Sequence, residues 1–184
     1  MTNVVFDTNF LGNLHKVNAD FSLVDFLCDI YDGKGVADHQ QLNKRAYLTC
    51  LTNKLVHHDI TDEQVAMFGM SYQGRVNLNH IATDPVDLKL VVFVKDHDLS
   101  IFLTCEAKLL QLSKELGLNH WCLKAAIHQL SESFGGIFSD SEYEFEQMFA
   151  EKGELHPFFH YARNTRCPQC HDNCSTYKTP PIFT

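Results

Sequence analysis

Two short apolar runs, separated by helical patterns, constrain most strongly how this chain can fold. The first, Val4–Phe6, is a β-branched and aromatic run typical of a buried strand. The second, Ile101–Leu103, is a continuous apolar run that follows an apolar helix beginning at Pro85. Strands that alternate with helices predict an α/β fold with a mainly parallel sheet.

Cap residues, stop residues and apolar periodicity predict the other elements. The expected helices are Asp20–Tyr31, a segment from the capping box Thr61/Gln64 to Met70, Val86–Lys95, Ala107–Leu116 before Gly117, a segment from about Leu123 to Ser133, and one from Ser139 to Gly153. Residues 38–55 are mixed but compatible with helix, and a last short strand is expected within Leu118–Leu123. We expect a main domain over 1–135, an additional helix over 136–155, and a Cys/His-rich tail over 156–184.

The charge of the chain excludes one class of function. With 23 acidic and 15 basic side chains, the formal net charge is −8, and a general nucleic-acid coat protein needs a basic field instead. An enzyme that collects carboxylates around metal ions and meets its substrate through a local basic patch is compatible with this charge. The N-terminus has no basic signal-peptide region, and no apolar run approaches membrane-spanning length. We therefore expect a cytoplasmic protein with no membrane partner.

Three acids stand where a metal site would be expected. Asp7 directly follows the first strand, and Glu106 lies shortly after the second, with Thr104 between. Asp87 lies in the first turn of the helix before that second strand. If the two strands are neighbours, the acids converge at one edge of the sheet, and a hard cation such as Mg²⁺ or Mn²⁺ would stabilise them. Each acid also has a purely structural interpretation as a helix cap or first-turn carboxylate.

The segments VVFDTNFL and DLKLVVFVKDHDLSIFLTCEAKLL, which begin at Val4 and Asp87, resemble the two signatures of PIN-domain nucleases. The resemblance covers roughly residues 1–130. It implies a three-layer α/β/α fold and metal-dependent cleavage of RNA, preferentially single-stranded, by an endo- or exoribonuclease. Asp7, Asp87 and Glu106 would be the metal-binding acids. Asn9 and Thr104 would be supporting hydrogen-bonding groups beside the bound ion.

The chain departs from the family pattern at two positions. Glu106 stands where the family usually has Asp, and the family's fourth acid is absent near Asn43. Asp38 is a substitute for that acid, and Glu63 a remoter one. The alternative function is therefore a catalytically weak PIN-like scaffold that binds RNA or a protein partner through the tail. A toxin-like nuclease with a neutralising protein partner, and a homodimer, also stay open.

The tail carries a cluster of metal-ligating residues. Cys167 and Cys170 have the C-x₂-C spacing of two thiolates on one tetrahedral zinc, and Cys174 adds a third sulfur. The fourth ligand would be His160 or His171. A zinc held by four protein ligands would be structural; the alternative is a flexible tail with free thiols. We also expect substrate contacts from basic residues, namely Lys44, Arg45, Arg163 and Arg166.

Two other patterns do not support a site. The triplet His57-His58-Asp59 predicts an exposed loop, because adjacent residues of an extended chain point apart. Aspartate-nucleophile phosphatases need a second Asp two residues after the first, and here that position is Asn9.

Overall fold

The computed structural model describes residues 2–72, 85–123 and 125–126. Strands and helices alternate along most of this length, which confirms the α/β class. The elements are β1 (Asn3–Phe6), α1 (Thr8–Val17), α2 (Ser22–Ile30), β2 (Lys34–Ala37), α3 (His39–Asn43), a 3₁₀ helix (Ala46–Asn53), β3 (Val56–His57), α4 (Asp62–Ser71), α5 (Pro85–Asp96), β4 (Ile101–Leu103), α6 (Ala107–Glu115) and β5 (His120–Trp121).

The five described strands form one parallel sheet with the order β3-β2-β1-β4-β5. The first strand of the chain therefore lies at the centre of the sheet. Its neighbours are β2 and β4, and Phe6 of β1 pairs with Leu103 of β4. The two strands that end near the predicted acids are thus adjacent.

Alternation along the strands directs side chains into two buried clusters, one on each face of the sheet. Val4 and Phe6 pack in the cluster that contains the apolar residues of α1, α2 and the 3₁₀ helix. Val5 and Phe102 pack in the second cluster, with α5 and parts of α4 and α6. The continuous apolar run Leu90–Val94 is buried in that second cluster. Both faces of the sheet are therefore covered by helices.

Local signals determine where several helices begin and end. The Thr61 hydroxyl accepts a hydrogen bond from Gln64 N–H while the Gln64 side chain accepts one from Thr61 N–H, so the predicted capping box is present at the start of α4. Gly117 has φ +67°, a left-handed conformation that glycine adopts without strain, and it ends α6. Helix α5 begins at Pro85, as predicted.

Two strands were not predicted from the sequence. Residues 34–37 form β2 and residues 56–57 form β3, on the side of β1 away from β4. No helix in the described ranges is long and apolar enough to cross a bilayer. Most of the helix expected after Leu123, the helix expected in 136–155 and the tail at 156–184 lie outside the described residues.

Candidate functional site

The carboxyl ends of the parallel strands bring polar residues together at one edge of the sheet. The strand pairing aligns the last residues of neighbouring strands, so the residues that follow them lie side by side. In sheet order these residues are His58, Asp38, Asp7 and Thr104. Neighbouring strands are about 4.8 Å apart, so side chains in this row are within reach of one another.

Asp7 is buried at the centre of this row, with 2% of its surface exposed. Its backbone N–H donates to the carbonyl of Leu103 (2.9 Å), which ties the end of β1 to β4. Asp7 occupies the position just before α1, but its side chain makes no capping hydrogen bond. Instead Asp7 Oδ2 accepts a hydrogen bond from the Thr104 hydroxyl (2.7 Å). The Asp7 carboxylate is therefore held mainly by Thr104, although the backbone N–H groups of Thr8 and Asn9 at the start of α1 also lower its pKa.

Glu106 is the second carboxylate of the site. It precedes α6 and likewise makes no side-chain cap. Its backbone N–H donates to Thr104 Oγ1 (3.0 Å), and its Oε2 accepts from the Asn9 side-chain amide (3.3 Å). Asn9 and Thr104 thus each contact one of the two carboxylates directly. The Thr104 hydroxyl connects the loop after β4 to the end of β1.

The electrostatics of this pair favour a cation. Burial raises the pKa of Asp7, the Thr104 hydrogen bond opposes this, and the nearby charge of Glu106 raises the pKa further, to about 6. None of the ion pairs between described residues includes Asp7 or Glu106. A buried carboxylate beside a second one is costly unless a positive charge compensates both. Carboxylate oxygens are the ligands that Mg²⁺ and Mn²⁺ prefer, so the donor set fits such an ion.

Asp87 lies in the first turn of α5 and is half-buried. Helix α5 packs against both β1 and β4, which places its side chains next to the two strands that carry the carboxylate pair. Asp87, Asp7 and Glu106 do not bring three oxygens within 4.8 Å of one another. The structure therefore joins two of the three predicted acids and places the third at the start of the adjacent helix.

Asp38, the predicted substitute for the fourth acid, lies next to Asp7 at the end of β2. Both of its oxygens are engaged: Oδ1 accepts from Gln41 N–H (2.8 Å) at the start of α3, and Oδ2 contacts His58 Nε2 (3.0 Å). Burial raises the pKa of Asp38, but the hydrogen bonds from His58 and Gln41 outweigh it, so the net direction is down. Two hydrogen bonds thus stabilise the ionised carboxylate of Asp38, whereas Asp7 has a raised pKa and no ion pair among the described residues.

The prediction of an exposed loop over His57-His58-Asp59 is wrong for both histidines, because His57 lies in β3, although it is exposed, and His58 is only 5% exposed. Strand β3 ends at His57, so the rule that adjacent side chains of a strand point to opposite faces does not apply between His57 and His58. One ligand atom each of Asp38, His57 and His58 lies within 4.8 Å of the other two. This second cluster could have been predicted only if both β2 and β3 had been recognised as strands that end at the same edge of the sheet.

The hydrogen bonds of the two histidine rings favour a structural role for this second cluster over metal binding. His58 Nδ1 accepts from the N–H of Ile60 (3.3 Å), which assigns the proton of a neutral ring to Nε2, facing Asp38. His57 Nδ1 accepts from the N–H of His39 (3.2 Å). A metal ion bound by His58 would have to displace one of the hydrogen bonds of its ring. We interpret Asp38 and His58 as a buried link between β2 and β3.

Of the predicted basic contacts, Lys44 is exposed and Arg45 is half-buried in the described chain. Arg163 and Arg166 lie outside the described residues, and so do the predicted zinc ligands Cys167, Cys170, Cys174, His160 and His171. Their roles stay predictions.

Fold and site together define an α/β protein with a carboxylate pair, the buried Asp7 and the partly exposed Glu106, at the carboxyl edge of a parallel sheet, and neither acid forms an ion pair with another described residue. Comparisons with family models, with curated proteins and with solved structures found no match to this chain.

Proposed function

We propose that this protein is a metal-dependent ribonuclease of PIN-like, three-layer α/β/α architecture. The observation that carries the proposal is the Asp7–Glu106 pair, two adjacent carboxylates without a described cationic partner. If the chain is PIN-like, as its sequence suggests, the segment after the first strand and the segment after Ile101–Leu103 must lie next to each other in space. The adjacency of β1 and β4 satisfies that requirement.

The residues of the site have separable roles in this proposal. Asp7 and Glu106 hold a Mg²⁺ or Mn²⁺ ion, and Asp87 contributes from the start of α5. Thr104 fixes the Asp7 carboxylate through its hydroxyl, and Asn9 orients Glu106 through its amide. When bound, such an ion activates water and stabilises the leaving oxygen in an in-line displacement at phosphorus.

A second candidate function rests on the hydrogen bonding of Asp38. Because both oxygens of Asp38 are engaged by Gln41 and His58, this acid is not available as a fourth metal ligand without rearrangement. That observation favours the catalytically weak scaffold, which would bind RNA or a protein partner and cleave slowly. We also propose that the Cys/His-rich tail binds zinc, which is compatible with either function.

The test is cleavage of a labelled single-stranded RNA in Mn²⁺, in Mg²⁺ and in chelator. Asp7→Asn is nearly isosteric and should abolish metal-dependent cleavage. Asp32→Asn is the matched control: Asp32 is exposed, its φ of 43° is one that Asn tolerates, and it precedes the opposite end of β2. RNA binding without cleavage by the wild type would favour the scaffold. Equal cleavage by the wild type and Asp7→Asn would contradict the proposed site.

A further inference from the structure

A stack of three aromatic rings runs from the core to the surface beside α1. The His15 ring stacks on Phe21 with centroids 5.3 Å apart and an interplanar angle of 20°. The Tyr47 ring stacks with His15 at 4.7 Å and 17°. Phe21 is buried at 3% exposure, whereas Tyr47 is 41% exposed. His15 thus covers one face of a tyrosine ring that is itself partly open to solvent.

Gly12 lets this stack lie against the helix. A Cβ atom at position 12 would stand 2.8 Å from Arg45 Nη1 and 3.2 Å from the Tyr47 hydroxyl oxygen. Arg45 Nη1 in turn donates to that hydroxyl oxygen (3.4 Å). The guanidinium and the phenol therefore lie together over the backbone of α1, where only glycine leaves space for them.

The position of the stack relates it to the carboxylate pair. Helix α1 starts directly after Asp7, and Gly12 lies about 7 Å further along the helix axis at 1.5 Å per residue. Helical spacing places Asn9, which contacts Glu106, on the same side of α1 as Gly12 and Lys16. Gly12 and Asn13 are buried between Asn9 and Lys16. Helix α1 therefore fixes the stack relative to the carboxylate pair, although the helix surface between them is covered.

The charge around this stack differs from that of the whole chain. Helix α1 has no acidic residue, and Lys16, Lys44 and Arg45 lie on it or in the segment beside it. The chain as a whole carries a net charge of −8. A local cationic patch next to a partly open aromatic ring has the chemistry that grips single-stranded nucleic acid.

We propose that Tyr47, backed by His15 and flanked by Arg45, is a stacking platform for one base of a single-stranded nucleic acid. The proposal deepens the proposed nuclease function and rests on it for the class of ligand. The ring is held by its stack before the strand arrives, so little side-chain freedom is lost on binding. Arg45 contacts the phosphate beside the stacked base. Stacking of this kind tolerates any base, since every base has a π face.

The experiment measures binding of a fluorescent single-stranded oligouridylate by anisotropy, in chelator so that no metal-dependent cleavage occurs. Tyr47→Leu keeps an apolar side chain against His15 and removes the π face, and it should weaken binding about tenfold. Tyr47→Phe keeps the π face and should bind within about twofold of the wild type. Arg45→Gln should make the slope of log K against log salt shallower by about 0.7. Lys114→Gln, near the far end of α6, is the control and should leave that slope unchanged.

The outcomes separate this platform from the nuclease proposal. Equal binding by Tyr47→Leu and Tyr47→Phe, with both folded by circular dichroism, would overturn the platform even if the wild type cleaves RNA. Weak binding by Tyr47→Leu alone would support it even if no cleavage is found. An oligouridylate that does not bind the wild type at all would overturn the platform, and retained metal-dependent cleavage would then leave the nuclease standing.

Discussion

Replacing Asp7 by Asn should stabilise the metal-free protein at neutral and alkaline pH. Burial and the charge of Glu106 raise the pKa of Asp7 to about 6 from an ordinary 3.8. The folded state therefore binds this proton more tightly than the unfolded state does. The stability that the proton contributes is fully present below pH 3.8 and is lost as the pH rises through 6.

The size of the effect follows from the two pKa values. At pH 8, above both, the ionised wild type should lose about 3 kcal/mol that the neutral Asn variant keeps. At pH 5 the loss should be about 1.5 kcal/mol, because the folded wild type is still largely protonated there. Asn can accept the Thr104 hydrogen bond as Asp does, so that contact cancels in the comparison.

The assay is urea unfolding of both proteins in chelator at pH 5 and pH 8. The variant should be more stable at both values, and its advantage should grow by about 1.5 kcal/mol between them. Saturating Mn²⁺ should then stabilise the wild type, by about 2.7 kcal/mol at one hundred times the dissociation constant, and not the variant. An advantage that is absent at pH 8, or that does not change with pH, would refute the argument that Asp7 is a buried charge without compensation.

Three further predictions, two of them with a matched control substitution, test packing and hydrogen bonding in the sheet and at its carboxyl edge, each by urea unfolding. Thr104→Val leaves two hydrogen-bond partners unsatisfied and should cost about 1–3 kcal/mol, whereas Thr104→Ser should cost less; equal losses would refute the role of the hydroxyl. Gly35→Ala would place a Cβ 2.4 Å from Leu55 Cδ2 and should cost about 1–3 kcal/mol. Gly69→Ala, whose added Cβ would have no atom within 4 Å, should instead stabilise α4 by about 0.5–1 kcal/mol. If both glycine substitutions changed the free energy of unfolding in the same direction, the close approach of Leu55 to Gly35 would be contradicted. His58→Leu would leave the buried Asp38 carboxylate without one of its two hydrogen bonds and should cost about 1–3 kcal/mol, and a loss near zero would show that Asp38 is not held by this link.

Much of the fold could be predicted where the determining signals are local. The capping box at Thr61, the proline at the start of α5 and the glycine after α6 act over a few residues, and each marks the expected boundary. Strands β1 and β4 could also be predicted from the sequence, since both are continuous apolar runs. The helical stripe before Tyr31 predicted α2 for the same reason.

Strands β2 and β3 could not be predicted because their stability comes from pairing with distant residues. Strand β2 begins Lys-Gly and contributes only Val36 and Ala37 as apolar residues. Strand β3 has two residues, both exposed. Neither has the length or alternation that identifies a strand from its own residues. The buried contact between Asp38 and His58 was missed with them, since it depends on both strands ending at the same edge.

The candidate site was only partly accessible to sequence reasoning. The strand-end rule identified Asp7 and Glu106, and the adjacency of β1 and β4 brings them together. The hydrogen bond between Asn9 and Glu106 spans 97 residues of sequence, so no local pattern predicts it. The aromatic stack on Tyr47 was missed because its rings come from α1, from the turn before α2 and from the 3₁₀ helix.

The most direct test of the central claim is calorimetric titration of Mn²⁺ into metal-free protein. Wild type, Asp7→Asn, Glu106→Gln and the double variant should be compared, with Asp38→Asn as the test of the neighbouring cluster. If the carboxylate pair holds the ion, each single variant should lose at least about tenfold in affinity. The double variant should lose little more affinity for Mn²⁺ than whichever single variant binds the ion less tightly, because the two acids act on one ion. Unchanged Mn²⁺ affinity in both single variants, with affinity lost only in Asp38→Asn, would contradict the account.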